Sequence, residues 1–456
     1  MKTEELQKKV ISAISLGCDK NRVDLEKMLG KLKAYGFEIT ENVENSDIVI
    51  INTCAFIRPA QEESIMSIIE IEDLKAKGLI EKIVVTGCFP ERNYSQMKEN
   101  FPNIDAFLHI RENENICQVI EGLYGIEKGR NVKSFERILT NNPSYAYLKI
   151  ADGCNNVCSF CTIPRIRGRY KSQSIEKLID EAKNLVSRGV KEIILVAQDT
   201  TRYGEDLYKE NKLIELCEKL SKIKDLQWIR LHYAYPEKVD KTLLDYIMKN
   251  PKMCKYLDIP LQHIDNEILT SMRRRLDEDK TRELIKLIKT EYPEIALRST
   301  FIAGYPGEKG KQFKKLLQFI KESEIDYAGV FPYYREENTA SYFMKNQVSE
   351  FVKKRRKKKI DKIQQKITTK KAKYEIGQEE IVLVDYFDEN TGEFCGHSQK
   401  ASPSVDFGVR FVDNGNIKIS QFVKVKITGF DGCDYKGEIV WIYQTKLHWQ
   451  DLWCYL

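Results

Sequence analysis

The chain has 456 residues, with 74 Lys and Arg against 68 Asp and Glu for a formal net charge of +6, and 42% of its residues are hydrophobic. That length predicts about three domains at roughly 150 residues each. The apolar fraction excludes a disordered chain, and no run approaches the ~18 apolar residues of a membrane span.

At the N-terminus, Val10–Gly17 ahead of Cys18 has a superficial likeness to a lipoprotein leader. Glu4 and Glu5 stand where basic residues belong, however, and Ser12 and Ser15 interrupt the apolar stretch. The expectation is a cytoplasmic, reduced protein with no membrane anchor. Short apolar runs at Ile11–Leu16, Asp47–Asn52, Lys82–Thr86 and Asp105–His109 alternate with helical patterns, which predicts an α/β domain with an open parallel sheet over residues 1–135. Cys18, Cys54 and Cys88 fall just beyond the first three runs. In such sheets ligands bind past the carboxyl ends of the strands, so thiols 36 and 34 residues apart can converge there. Taken singly, each is as well explained as a small buried residue.

A second alternating set occupies residues 140–350, with strands predicted at Tyr145–Ala151, Glu192–Gln198, Trp228–Ala234, Tyr256–Gln262, Ala296–Gly304 and Tyr327–Tyr334. Six βα units imply a partial barrel whose functional face lies at the strand carboxyl ends. The first crossover helix places Ile175, Leu178, Ile179, Ala182, Leu185 and Val186 on one face, with Ser174 as its cap and Gly189 as its stop. The run KKRRKKK at Lys353–Lys359 opens a charged helical stretch over 351–373, read as a solvated linker with contact to an acidic partner as the alternative. Residues 374–443 change to short strands (Glu380–Tyr386, Val409–Val412, Gln421–Thr428, Lys436–Tyr443) and predict a small antiparallel β-barrel of OB-like type. An aromatic tail, 444–456, follows.

The strongest chemical signal is CxxxCxxC at Cys154, Cys158 and Cys161, directly after the first strand of the second domain. A structural zinc site wants four protein ligands, and no fourth Cys or His lies nearby in sequence. Three thiolates leave one iron of a [4Fe–4S] cubane open to a small molecule. The other six cysteines, Cys117, Cys217, Cys254, Cys395, Cys433 and Cys454, show no ligand spacing and read as structural.

With Phe160 before its last cysteine, this motif resembles that of the radical S-adenosylmethionine (SAM) superfamily. The resemblance extends along the chain: the Cys18, Cys54, Cys88 triad in an α/β domain, the radical SAM core and a terminal barrel of TRAM type together resemble the methylthiotransferase family. It implies two [4Fe–4S] clusters, an auxiliary one on the first triad and one on the second that binds SAM. It also implies a 5′-deoxyadenosyl radical that takes hydrogen from carbon, and a second SAM as methyl donor. Phe160 would meet the adenine, with Gln198, Asp199, Gln262 and Gly304 lining the rest; for each, ordinary loop structure is an equal reading. Reduced flavodoxin or ferredoxin is the implied electron donor.

Two branches of that family compete, one acting on isopentenylated adenosine in tRNA, the other on an aspartate of ribosomal protein S12. AQDTTRYGED (197–206), RLHYAYP (230–236), YLDIPLQH (256–263) and RSTFIAGYPGE (298–308) are similar to the S12 branch. In PYYREENTASY, Tyr334 and Asn338 stand where a Ser and a Gly are usual, and HSQKASPSVDF follows the branch's barrel motif only loosely. Charge agrees with the protein substrate: residues 375–440 hold twelve acids and six bases, net −6. An acidic barrel suits a basic ribosomal protein better than a polyanion, so nucleic acid is not favoured. A non-catalytic iron–sulfur or zinc protein that binds RNA is the reading from a different class; it leaves the six-strand core unexplained.

Overall fold

The computed structural model describes residues 3–126, 136–413 and 415–443; the aromatic tail and Cys454 lie outside them. Five parallel strands, β1 (Val10–Ser15), β2 (Glu38–Ile39), β3 (Ile48–Thr53), β4 (Lys82–Gly87) and β5 (Ala106–Phe107), form the first sheet in the order β2-β1-β3-β4-β5. Helices lie on both faces. On one side Leu25, Leu29 and Leu32 of the helix Asp19–Tyr35 pack on Ile11, Ile48 and Ile50. On the other, Ile68 and Ile71 of the helix Arg58–Ala76 pack on Val49, Ile51 and Val85. β3 is therefore buried along its whole length, which is why it reads as an unbroken apolar run. The sheet order reverses between β1 and β3, the switch point at which open α/β sheets form a ligand crevice.

The second unit begins with β6 (Tyr145–Lys149). β7 (Ala151–Asp152) then pairs antiparallel with β8 (Lys171–Ser172) and closes the loop 153–170 that carries Cys154, Cys158 and Cys161. β9 (Glu192–Val196), β10 (Trp228–Leu231), β11 (Tyr256–Asp258), β12 (Ala296–Ala303) and β13 (Tyr327–Pro332) complete six parallel strands. They form two sheets of three, β6-β9-β10 and β11-β12-β13, joined by a parallel bridge between Ile229 and Met253. The first crossover helix, Ile175–Ser187, starts where Ser174 accepts the Lys177 N–H, and it buries Ile175, Leu178, Ala182, Leu185 and Val186.

The charged stretch expected to be a linker is instead a packed helix, Glu350–Glu375, lying against β13 and the helix Gly310–Ser323. Lys353, Ile360, Gln364 and Ile367 are buried, and Gln364 Nε2 donates to the Ile325 carbonyl at 3.0 Å. Sequence periodicity hid this face because long polar side chains occupy it, and their aliphatic stems cover apolar surface while the heads reach polar partners. Arg356, for example, donates to the Glu308 carboxylate at 2.7 Å.

The third unit is a closed barrel, β14-β15-β16-β18-β17, built from β14 (Glu379–Asp388), β15 (Glu393–Ser398), β16 (Val409–Phe411), β17 (Phe422–Phe430) and β18 (Tyr435–Ile442). β15 escaped the sequence reading because it does not alternate: its last four residues, Cys395–Ser398, are all buried. Its outer face is covered by the second domain. Leu383 packs on Trp228, Tyr256 and Ala296, Arg230 donates to the Ser398 and Gln399 carbonyls, and Tyr256 donates to Asp406 at 2.8 Å. The small barrel thus sits against the inner side of the partial barrel. Among the described residues no helix is long and apolar enough to cross a membrane.

Candidate active site

Cys18, Cys54 and Cys88 follow β1, β3 and β4, three adjacent strands at the switch point. Cys18 is the N-cap of the helix Asp19–Tyr35, and Cys88 is the first residue of the helix Cys88–Asn100. Both residues therefore stand at helix starts, beside N–H groups that no intrahelical bond uses. A side-chain carbon at Gly17 (φ +86°) would fall 2.7 Å from Cys54 Sγ, so the chain beside Cys18 abuts Cys54. Asn21 ties the three strand ends together: its Nδ2 donates to the carbonyls of Leu16 (3.0 Å) and Thr53 (2.8 Å), and the Cys88 thiol lies 3.6 Å from its Oδ1.

In the second triad, Cys154 Sγ accepts the Asn156 N–H and Cys161 Sγ accepts the Ile163 N–H, each at 3.4 Å. Arg274 donates to Cys158 Sγ at 3.7 Å, and the Tyr235 hydroxyl lies 3.8 Å from the same sulfur. Burial, and after it the neighbouring thiols, pushes Cys161 up to about 12; the same two causes take Cys54 to about 12. Burial also raises Cys88 and Cys154. Burial raises the structural Cys217 equally, so the distinguishing feature of the triads is the N–H and guanidinium donors aimed at their sulfurs, which suit a thiolate-bound iron–sulfur cluster. Among the described residues no three His, Cys, Asp or Glu are grouped as ligands of a single metal ion. Thiolates around a cubane stand wider apart than the ligands of one ion.

The loop after Cys161 also reaches the first domain. Arg167, with 1% of its side chain exposed, donates to Cys88 Sγ at 3.6 Å, to Asp24 at 2.6 Å and to Asp152 at 3.1 Å. A second strap joins Glu336 to Arg92 at 2.9 Å, while Arg92 donates to the Ala55 carbonyl at 2.8 Å, one residue past Cys54. Both straps therefore tie the second domain to the strand ends that carry the first triad. Sequence reasoning missed Asn21, Arg167, Arg274, Arg92 and Glu336, whose partners are distant in sequence.

The five other singled-out residues divide. Phe160 is half-buried against the cluster of Ile268, Met272, Tyr305 and Tyr333. Gln198 donates to Asp152 at 3.1 Å and leaves its Oε1 buried without a partner, and Gln262, four residues past β11 and bridged to Phe301, takes a left-handed φ of +73°. Asp199, by contrast, is fully buried and committed: it accepts from Asn156 (3.0 Å), Thr201 (2.7 Å) and Arg202 (3.0 Å). It therefore holds the cysteine loop through Asn156 rather than facing a ligand. Gly304 (φ +80°) has no room for a side chain, because a Cβ there would meet Lys353 Cγ at 2.4 Å. Of the twelve acids in the small barrel, Asp385 and Asp406 are turned into the seam with the second domain, where Asp406 pairs with Arg298.

A cysteine-bearing α/β sheet, a six-strand partial barrel with three cysteines past its first strand and a small closed barrel define a radical SAM enzyme of three domains. Family models match in the same order: uncharacterized protein family UPF0004 over residues 10–109, the radical SAM superfamily over 148–320 and the TRAM domain over 376–440. The ribosomal protein uS12 methylthiotransferase RimO of Desulforamulus reducens is 42% identical over 439 residues, 94% of this chain and 99% of that protein. Its counterpart in Flavobacterium johnsoniae is 40% identical over 443 residues, 96% and 100%. The chain belongs to the RimO family of radical SAM methylthiotransferases. In fold it is similar to the radical SAM methyltransferase TsrM of Kitasatospora setae, solved with cobalamin and a [4Fe-4S] cluster (TM-score 0.54, 13% identity, 73% of this chain and 77% of that one).

Proposed function

We propose that this enzyme adds a methylthio group to the β-carbon of an aspartate in ribosomal protein uS12, in the cytoplasm. In this reading Cys18, Cys54 and Cys88 hold an auxiliary [4Fe–4S] cluster and Cys154, Cys158 and Cys161 hold the cluster that binds SAM. Reduced flavodoxin or ferredoxin supplies electrons. When bound, these groups supply a carbon-centred radical, a sulfur and a methyl.

The chain's own residues position that chemistry. Asn156 and Ile163 direct N–H groups at Cys154 and Cys161, Arg274 directs its guanidinium at Cys158, and Asp199 fixes Asn156. Phe160 would flank the adenine. The partnerless Oε1 of Gln198 and the strained Gln262 would bind polar groups of SAM, while Gly304 lets the helix Glu350–Glu375 close under the site. The observation that carries the reading is a contact between the two triads' supports: Arg167, from the loop of the second triad, touches a cysteine of the first. Sulfur held at one triad can then meet a substrate carbon activated at the other.

Anaerobic reconstitution should give about eight iron atoms per chain, two cubanes. Incubating the reduced enzyme with SAM, sulfide and either uS12 or isopentenylated tRNA should produce a methylthio mass gain on the protein. Modification of the tRNA alone would overturn the substrate assignment, and tight zinc without iron would overturn the chemistry.

A further inference from the structure

Counted by whole-residue exposure, five Lys and Arg are buried among the described residues, and four of them carry their own carboxylates. Lys149 pairs with Asp24 and Asp152, Lys353 with Glu350, Arg137 with Glu26 and Glu181, and Arg230 with Glu192. The fifth, Lys20, is 7% exposed and forms no ion pair among the described residues; its ammonium lies 3.4 Å from the centroid of the Tyr233 ring. The nearby acids Asp19 and Asp258 form no ion pair with it, although Asp258 lies within electrostatic range and keeps one carboxylate oxygen buried without a hydrogen-bond partner. Asp19 accepts from the Tyr233 hydroxyl at 3.3 Å and faces His232 at 4.0 Å, while Asp258 accepts the Tyr233 N–H at 3.2 Å and lies 3.9 Å from Arg298.

A buried ammonium without a counter-ion is costly, and an aromatic face offsets that cost only in part. Tyr233 adds to it. Its φ of +56° is a genuine strain for a bulky side chain, and strain of this kind gathers at functional sites. The location is specific as well. Lys20 lies two residues after Cys18, and Tyr233 lies two residues before Tyr235, whose hydroxyl is 3.8 Å from Cys158 Sγ. The Lys20–Tyr233 contact is where the segments supporting the two triads meet.

We propose that Lys20 receives the side-chain carboxylate of the aspartate to be modified, an assignment that rests on the uS12 reading above. In aspartate the β-carbon is bonded directly to the carboxylate carbon, so gripping the charge fixes the carbon that reacts. Asparagine keeps the shape and lacks the charge.

The test uses the full, reconstituted enzyme and uS12 carrying either the target aspartate or asparagine in its place, with binding read by fluorescence anisotropy. Wild type should prefer the aspartate form roughly tenfold or more, as for a desolvated charge pair, and Lys20→Met should erase the preference. Iron content and SAM affinity should be unchanged, and the thermal midpoint should not fall, because an unpaired buried charge has been removed. Lys20→Arg should restore part of the preference. Wild-type discrimination in Lys20→Met would overturn the assignment alone. So would loss of SAM binding with discrimination intact, which would give the ammonium to the carboxylate of SAM. Failure of the wild-type enzyme to modify uS12 at all would overturn the substrate reading, and this assignment with it.

Discussion

Arg167 donates to the Cys88 sulfur at 3.6 Å from the far side of a domain boundary, while the other terminal nitrogen of its guanidinium donates to Asp24 and Asp152. Its positive charge beside the first triad stabilises the more negative, reduced state of any cluster held there. Arg167→Gln should therefore lower that cluster's reduction potential by on the order of tens of millivolts, a tenfold change in the one-electron equilibrium being about 59 mV. It should also destabilise the fold by about 1–2 kcal/mol, since two half-buried carboxylates each lose one of two cationic partners and keep Lys149. An EPR-monitored redox titration reads the first effect and denaturant unfolding the second. An unchanged potential would show that Arg167 is only a structural strap.

Much of this site was legible in the sequence, and the limit is physical. Strand ends and short cysteine offsets are local patterns, so the positions of Cys18, Cys54 and Cys88 past three strands and of Cys154, Cys158 and Cys161 past a fourth could be read from the sequence. Arg167 and Glu336 carry no such pattern: their partners lie up to 278 residues away. The helix Glu350–Glu375 was misjudged because its buried stripe includes Lys353 and Gln364. Asn338, which the sequence reading set apart, adopts φ +64°, a left-handed conformation that asparagine tolerates better than other side chains.

Gly17 offers a way to remove the first site alone. Alanine there would place its Cβ 2.5 Å from Cys54 Cβ and 2.7 Å from its Sγ, at a φ of +86° that disfavours any side chain. Gly17→Ala should reconstitute with about four iron atoms instead of about eight. It should still cleave SAM at the second triad but transfer no methylthio group. Iron analysis and product mass spectrometry on one preparation check this, and a full complement of iron would refute it.

His397 makes the docking of the small barrel dependent on pH. Its ring lies 2.6 Å from Glu192 and 2.7 Å from Asp385. Burial alone would lower its pKa, but Asp385 and Glu192 outweigh it and hold the imidazole up to about 9. The folded value exceeds the unfolded value of ~6.5, so this stabilisation is full below ~6.5 and is lost as pH rises through about 9. It amounts to about 3 kcal/mol, from ~1.4 kcal/mol per pKa unit. Unfolding measured between pH 6.5 and 9.5 should show that loss in the wild type and a flatter profile in His397→Gln. Parallel profiles would remove His397 from the seam's energetics.

Glu336 reaches out of the second domain to accept the Arg58 N–H at 2.9 Å and Gln61 Nε2 at 3.2 Å, and it pairs with Arg92 at 2.9 Å. The cluster of contacts is nearly dry, with Glu336 7% and Arg92 12% exposed. A charge pair so enclosed, with its remaining acceptor sites filled, should couple by more than 1 kcal/mol in a double-mutant cycle of Glu336→Gln and Arg92→Met. Because Arg92 also holds the Ala55 carbonyl beside Cys54, loosening the pair should separate the two triads without dismantling either. The expected signature is uncoupling: SAM cleavage close to wild type, methylthio transfer down at least tenfold, iron content unchanged. An additive cycle, or equal losses in cleavage and transfer, would show that the strap does not govern how the two sites meet.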